Sequence, residues 1–288
     1  MNTLKIYIKS FSIILKSLKI GSIIYLIFLL IALLLTIPFY RLFVGVTESN
    51  VLSESLMNGF NATAFGDLIR ADGKVFLVYI KGLWPWLLAF WMLGVYFYGM
   101  IISWVRNPIE KFNLSEGMNQ ANKQFWAFLK LSVYVLIIQA IVAFVIYLIP
   151  VILVGNDNLT DDYIVRTIAV GVIIHLFFFA TVSFVADIAR FKLFQASRKK
   201  VLKTLWQSIK FIVRRFGSFW IMYILWVILP LTTMALFIIF RKQFNVDTSS
   251  SILILFLIQQ AFVWLKFLFK IQKQGLFYSF YIQIQETD

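Results

Sequence analysis

Six long apolar runs constrain this chain more than any other feature of its sequence. Each run has about 20 residues or more, and a helix of that length crosses a hydrocarbon core of roughly 30 Å. The composition agrees, because 61% of the 288 residues are hydrophobic and the mean hydropathy is +0.87, which is too apolar for a soluble domain. We therefore predict an all-α integral membrane protein with six transmembrane helices, in the runs 21–40, 83–105, 131–154, 163–186, 217–240 and 252–272.

The positions of the cations predict the orientation of the chain. Most of the 27 lysines and arginines lie before the odd-numbered runs or after the even-numbered ones, and segments rich in these residues stay in the cytoplasm. We therefore expect a multi-pass protein of the bacterial cytoplasmic (inner) membrane, with both termini cytoplasmic. The net charge of +14 then follows from topology, and we expect no nucleic-acid partner.

A basic amphipathic segment, 197–215, precedes the fifth run. Its apolar side chains recur at helical spacing and form one stripe, which includes Val201, Leu202, Leu205, Trp206, Ile209, Ile212 and Val213. The opposite face carries four cations, Lys199, Lys203, Lys210 and Arg214. Such a helix lies at a membrane surface with its cations on anionic lipid headgroups. The alternative is a helix packed on the cytoplasmic ends of its neighbours with a solvated charged face, and the two interpretations are compatible.

Similar basic segments precede the first and third runs, which indicates an internal repeat. The junctions into these runs are alike: Lys19-Ile-Gly-Ser22 and Arg215-Phe-Gly-Ser218, with the shorter Lys130-Leu-Ser132 before the third. We therefore predict three hairpins, each preceded by a cytoplasmic amphipathic surface helix, in one polytopic domain. The alternative is that there is no repeat, because the orientation of a membrane protein by itself places cations before the odd-numbered spans. The repeats are about 1–105, 113–186 and 197–284 of the domain 1–288, with an outer loop at 41–82. Two short amphipathic helices are predicted in this loop, one around Val51, Leu52 and Leu56 and one around Phe65, Leu68 and Ile69, with breaks at Gly59, Gly66 and Gly73.

A few polar side chains fall inside the apolar runs. His175 lies near the middle of the fourth run with no carboxylate at a similar depth. We expect a neutral, structural histidine, hydrogen-bonded to a neighbour such as Gln139. The alternative is ligand or proton handling, which is the default hypothesis for an ionisable group inside a membrane. Gln259 and Gln260, in the sixth run, either join helices or line a cavity.

Several classes of chemistry are excluded by what the sequence lacks. The chain has no cysteine and one histidine, which excludes disulfides, thiolate metal sites and sites with several histidines. The motifs Gly-x-Ser-Gly, His-Glu-x-x-His and Gly-x-Gly-Asp are absent, as is a Walker A phosphate loop. We therefore predict no enzymatic activity, no catalytic residues, no metal and no cofactor.

Asp187 and Arg190 lie three residues apart at the inner end of the fourth run, a spacing that predicts an ion pair at the membrane interface. A resemblance to known proteins rests on four stretches. They are 187–190, the basic segment that follows it to Arg215, and the loop stretches 56–60 and 65–70. The chain resembles a group of bacterial six-span integral membrane proteins, and the membrane region attached to some glycerophosphodiester phosphodiesterases. The resemblance implies architecture alone, because no stretch here corresponds to the catalytic domain of those enzymes.

Two hypotheses for the function remain. The first is a non-enzymatic membrane protein that interacts with anionic lipids or organises a membrane complex, with a protein partner or a second copy of itself. The second is a transporter or channel for a small molecule or lipid, with a path between the hairpins. A transport path needs a continuous polar lining, and the apolar runs contain few polar side chains. The sequence therefore favours the first hypothesis.

Overall fold

The computed structural model describes residues 3–47, 62–106, 112–154, 161–196, 200–242 and 249–287. Almost all of these residues lie in helices, and these ranges contain no β-strand. The helices are α1 (Thr3–Lys16), α2 (Leu18–Thr47), α3 (Ala62–Arg106), α4 (Leu114–Ala143), α5 (Ile149–Val154), α6 (Asp161–Gln195), α7 (Val201–Arg214), α8 (Phe216–Lys242) and α9 (Ser249–Thr287). A π-helical turn, Phe144–Leu148, joins α4 to α5.

Among the residues that the structure describes, six helical stretches are long and apolar enough to cross a membrane, as the sequence predicted. They are Leu18–Ile37, Lys81–Arg106, Leu114–Ile152, Val165–Gln195, Phe216–Lys242 and Ser250–Glu286. Several extend past the predicted runs into charged sequence, because a helix continues wherever its backbone hydrogen bonds are made, whereas hydropathy falls at the first charges. The described part of the chain is therefore all-α, with the lengths and composition of a multi-pass membrane protein.

The region of the predicted outer loop, 41–82, is more helical than expected. Helix α2 continues to Thr47, and the second short helix predicted in the loop is the first part of α3, which has 45 residues. Gly66 and Gly73 were interpreted as breaks, but a glycine costs a helix only about 1 kcal/mol relative to alanine. The first short helix, predicted around Val51, Leu52 and Leu56, lies outside the described residues.

Two of the three predicted junctions into odd-numbered spans interrupt the helix, and the junction into the third span does not. A turn at Ser17 separates α1 from α2, and a turn at Arg215 separates α7 from α8. The basic segment before the third span, in contrast, continues into that span as one helix, α4. In the other two junctions the turn comes before the glycine, since Gly21 lies inside α2 and Gly217 lies inside α8. Asn113 caps α4 by accepting hydrogen bonds from the backbone N–H groups of Ser115 and Glu116.

The chain divides into two compact units, one formed by Met1–Gly21 with Val95–Asp288 and the other by Ser22–Gly94. The second unit contains most of α2 and of α3. Within it the rings of Phe28 and Phe90 stack with their centroids 5.6 Å apart. The other helices belong to the first unit.

Within the first unit, α1 packs closely against α9. Gly275 allows this approach, because a Cβ added there would lie 2.5 Å from Cδ1 of Ile13. The side-chain amide of Gln272 donates a hydrogen bond to Oγ of Ser10 at 3.1 Å. Small and hydrogen-bonding side chains thus hold these two helices together, as is typical of helix contacts in membrane proteins.

The core of the first unit lies towards the ends of the helices that adjoin the basic segments. Its largest fully buried side chains are Phe128, Phe184, Phe191, Phe219, Phe277, Phe280 and Tyr281. The opposite halves of the same helices expose large apolar side chains, such as Ile141, Ile173 and Leu236. Exposed apolar surface of this extent is suited to lipid and not to water.

Candidate functional site

Helix α7 buries one face against the other helices of the first unit. The buried side chains are Val201, Thr204, Leu205, Ser208 and Ile212. Two of the five are polar, and both satisfy their hydroxyl groups within the helix: Thr204 donates to the carbonyl of Lys200 and Ser208 to that of Thr204. This face therefore packs without leaving those two hydroxyl groups unpaired.

A second face of α7 is apolar but exposed. Leu202, Trp206 and Val213 have 61%, 58% and 67% of their surface accessible. At 3.6 residues per turn, they lie about 120° around the helix from the buried face. The single apolar stripe expected from the sequence is therefore two faces, one in the protein core and one available to lipid.

The third face of α7 carries the predicted lipid-binding cations. Lys203, Lys210 and Arg214 are all exposed, about 80° further around the helix than the exposed apolar face. The ammonium group of Lys210 lies 5.5 Å from the ring centroid of Trp206, so the two faces meet in a cation–π contact. Lys199, the fourth predicted cation, lies outside the described residues.

A basic pocket opens beside this cationic face. Its volume is about 760 Å³, and it is lined by Lys192, Gln207, Lys210, Phe211, Arg214 and Arg215. Two of the predicted cations, Lys210 and Arg214, thus share a site with a cation of α6 and with the arginine at the α7–α8 turn. The lining that the structure describes includes four cations and no carboxylate. We call this site the α6–α7 pocket.

Lys192 joins the pocket from α6. Its ammonium group donates to the carbonyl oxygen of Gln207 at 3.3 Å and lies 5.0 Å from the ring centroid of Phe211. Phe211 is in turn held by edge contacts with Phe219 and Tyr281, whose ring centroids are 5.8 Å and 5.5 Å away. One wall of the pocket is therefore supported by three helices, α6, α8 and α9.

A separate cluster of charges lies buried between α6 and α9. Asp187 accepts a hydrogen bond from Arg190 at 2.8 Å, the ion pair expected from their spacing. Oδ2 of Asp187 also lies 3.0 Å from Nζ of Lys273 on α9. The pair is buried and not at an exposed interface, and it is extended by a cation that the sequence did not single out. We call Asp187, Arg190 and Lys273 the buried ion cluster.

Aromatic rings surround the buried ion cluster. The guanidinium of Arg190 lies 4.1 Å from the ring centroid of Tyr98 on α3, and Lys270 lies 4.6 Å from the same centroid. Lys273 lies 5.7 Å from the ring of Trp226 on α8. Each cation thus faces a carboxylate or an aromatic ring, which offsets part of the cost of removing its charge from water. This arrangement connects four helices and is suited to stability.

The polar candidates inside the spans lie in different environments. The ring of His175 packs against that of Tyr147, with centroids 5.6 Å apart. The hydrogen bond expected with Gln139 is not formed, because Nδ1 of His175 and Oε1 of Gln139 are both buried without a partner among the described residues. Gln259 is exposed and Gln260 is half-buried. Within the described ranges, no group of three or more His, Asp and Glu side chains is placed to hold a metal ion.

Sequence reasoning missed three features of these sites. Lys192 was counted as one of many cytoplasmic cations, and no periodicity relates it to α7. Phe211 lies between the apolar and cationic faces, where a helical pattern assigns it no role. Lys273 pairs with Asp187 across a distance in sequence that local spacing rules do not reach.

No family model matches this sequence, and comparison with curated proteins and with solved structures likewise gives no match. The resemblance to bacterial six-span proteins and to the membrane region of some phosphodiesterases therefore stays a prediction. The α6–α7 pocket and the faces of α7 carry the functional interpretation.

Proposed function

We propose that this protein is a non-enzymatic multi-pass protein of the bacterial cytoplasmic membrane that binds anionic lipids and organises lipids or a partner complex there. The observation that carries this proposal is the division of α7 into three faces. A helix that only packed on its neighbours would have little reason to expose Leu202, Trp206 and Val213 beside a row of cations. An exposed apolar face next to a cationic face is typical of a helix at a lipid interface, with tryptophan at the boundary.

The same order of faces in two other segments supports the proposal. In each segment, moving around the helix in the same sense, a buried face is followed by an exposed apolar face and then by exposed lysine. In α1 the buried face has Ser10 and Ile13, the exposed apolar face has Ile8 and Leu15, and the exposed lysine is Lys16. In the first half of α4 the buried face has Gly117 and Ala121, the exposed apolar face has Leu114 and Met118, and the exposed lysines are Lys123 and Lys130. The angles between the faces differ among the three segments, but each segment has an exposed apolar face and exposed lysine in addition to its buried face, as a repeated lipid-contacting element requires.

Removing the cations of α7 tests the proposal. The variant Lys203→Gln with Lys210→Gln and Arg214→Gln removes three charges, each of which contributes about 1 kcal/mol near an anionic surface at low salt. We expect the purified variant to retain much less phosphatidylglycerol and cardiolipin, measured by mass spectrometry of the extracted lipid. We also expect retention by the wild type to decrease as salt shortens the Debye length.

The control is Arg241→Gln with Lys242→Gln, at the other end of α8. These cations are also exposed, but they do not belong to an amphipathic helix with an exposed apolar face. We expect this variant to retain anionic lipid as the wild type does. If the α7 variant loses thermal stability in detergent but keeps its lipid, α7 is a packing element and the proposal is wrong.

A further inference from the structure

We infer that the α6–α7 pocket is a discrete binding site for one phosphate group, carried by an anionic headgroup or by a soluble phosphate compound. This inference rests on the proposed function and deepens it. The proposed function requires only that the overall charge of α7 attracts anionic lipid. The inference adds a defined site on the protein where the phosphate group binds. The argument depends on the charge of the pocket, its preformed wall, its size and its position on α7.

The charge of the pocket is suited to phosphate. Lys210 and Arg214 are one turn apart on α7, Arg215 follows at the turn into α8, and Lys192 enters from α6. Arginine presents a planar fork of N–H donors that binds two phosphate oxygens at once, and lysine adds a compact point charge. Four cations with no acidic side chain in the described lining therefore favour an anion that carries several acceptor oxygens.

The wall of the pocket is held in place before any ligand binds. Lys192 is anchored by the carbonyl of Gln207 and by the ring of Phe211. The ring of Phe211 is itself fixed by Phe219 and Tyr281. A lysine held in this way loses less side-chain freedom when it binds than one that is free in solvent. This distinguishes the pocket from the exposed part of the cationic face around Lys203.

The size and position of the pocket limit what it binds. Its volume of about 760 Å³ is within the range of small-molecule sites, roughly 300–1,000 Å³, so it accommodates a phosphate together with a small attached group. Phe211 and Arg215 lie on the side of α7 that faces away from Leu202 and Val213. When that apolar face contacts acyl chains, the pocket faces the headgroups and the water. We therefore expect it to bind a phosphate and not an acyl chain.

The variants Lys210→Gln and Lys203→Gln form a matched pair. Both lysines are exposed on the same face of α7, and only Lys210 lines the pocket. Affinity is measured by native mass spectrometry of the detergent-solubilised protein titrated with cardiolipin, and separately with glycerol 3-phosphate and inorganic phosphate. We expect Lys210→Gln to weaken binding roughly tenfold, as for loss of a charge-assisted hydrogen bond. We expect Lys203→Gln to weaken the binding of glycerol 3-phosphate and of inorganic phosphate by no more than about twofold, since it does not line the pocket. Its effect on cardiolipin should be smaller than that of Lys210→Gln and no more than about fivefold, because it contributes there only through the general surface charge.

Lys192→Gln tests the contribution of α6. We expect a loss of affinity similar to that of Lys210→Gln, with restoration by Lys192→Arg, which keeps the charge. If Lys192→Gln does not fold, the Lys210 and Lys203 pair still decides the question, since neither of those side chains is buried. If the Lys192 and Lys210 variants weaken the binding of cardiolipin alone, the natural ligand of the pocket is a lipid headgroup. If they also weaken the binding of glycerol 3-phosphate or inorganic phosphate, the ligand is a soluble phosphate compound.

Equal weakening by Lys203→Gln and Lys210→Gln would overturn the pocket while leaving the proposed function intact, since α7 would then attract lipid by its total charge. Binding that is unchanged in both single variants and also in the triple variant would overturn both. Phosphate binding that persists unchanged in Lys192→Gln and Lys210→Gln would also exclude this pocket as the site.

Discussion

Asp187 has two cationic partners from two different helices. Arg190 lies on its own helix, α6, and Lys273 lies on α9, with all three side chains largely removed from solvent. Desolvating such groups is costly, and the attraction between them repays this cost only while every charge keeps its partner. The buried ion cluster should therefore contribute little net stability as a whole, yet be sensitive to the loss of any one member.

We predict that Lys273→Gln destabilises the protein by about 3 kcal/mol or more, because it removes one of the charges that offset Asp187 in a buried site. The measurement is thermal unfolding in detergent. The matched control is Lys266→Gln, on the same helix but exposed, for which we expect a change within about 0.5 kcal/mol. Equal melting temperatures for the two variants would contradict the assignment of Lys273 to the buried ion cluster.

At the scale of the elements, close contact between helices depends on positions that have no side chain. A Cβ added to Gly99 of α3 would lie 2.8 Å from the Cα atom of Ala121 in α4. The obstructing atom is backbone, so it cannot turn aside as the end of a flexible side chain does. Any substitution at Gly99 must therefore move one helix relative to the other.

We predict that Gly99→Ala destabilises the protein by about 1–3 kcal/mol, the usual cost of overpacking. The matched control lies in the same helix. Gly94→Ala adds a Cβ with nothing within 4 Å, so it should be neutral or stabilise by up to about 1 kcal/mol through helix propensity. Thermal unfolding of both variants in detergent measures the difference, and a Gly99→Ala protein as stable as Gly94→Ala would show that α3 and α4 do not approach this closely.

At the scale of the whole molecule, charge divides the chain along its length. Lysine and arginine concentrate in the segments before the odd-numbered spans and after the even-numbered ones, and they account for the net charge of +14. This distribution predicts that both termini are cytoplasmic. With that orientation, we expect α7 and the α6–α7 pocket to lie at the cytoplasmic leaflet, where anionic lipids produce a negative surface potential.

We predict that green fluorescent protein fused after the last residue fluoresces, whereas alkaline phosphatase fused at the same position is inactive, because each reporter works on only one side of the membrane. Alkaline phosphatase inserted within 243–248, between α8 and α9, should be active and provides the control. An active phosphatase at the C-terminus would reverse the orientation and place α7 on the outer side.

Properties that depend on local sequence were predictable. The six spans follow from apolar runs long enough to cross a bilayer, and the all-helical structure follows because a backbone in lipid must satisfy its hydrogen bonds within each segment. The pairing of Asp187 with Arg190 follows from a three-residue spacing on one helix. Each depends on residues within a few turns of one another, which the sequence displays directly.

Properties that depend on which surfaces meet were decided only by the tertiary structure. Periodicity assigned Leu202 and Leu205 to one stripe, but packing buries Leu205 and leaves Leu202 exposed. Lys192 and Lys273 acquired their roles from contacts with residues of other helices. A hydrogen bond was expected from His175 to a neighbour such as Gln139, but it is not formed, and the ring of His175 packs against that of Tyr147. A helical pattern fixes the direction of a side chain around its own axis, but it contains no information on which neighbour occupies that direction, since that depends on the packing of distant segments.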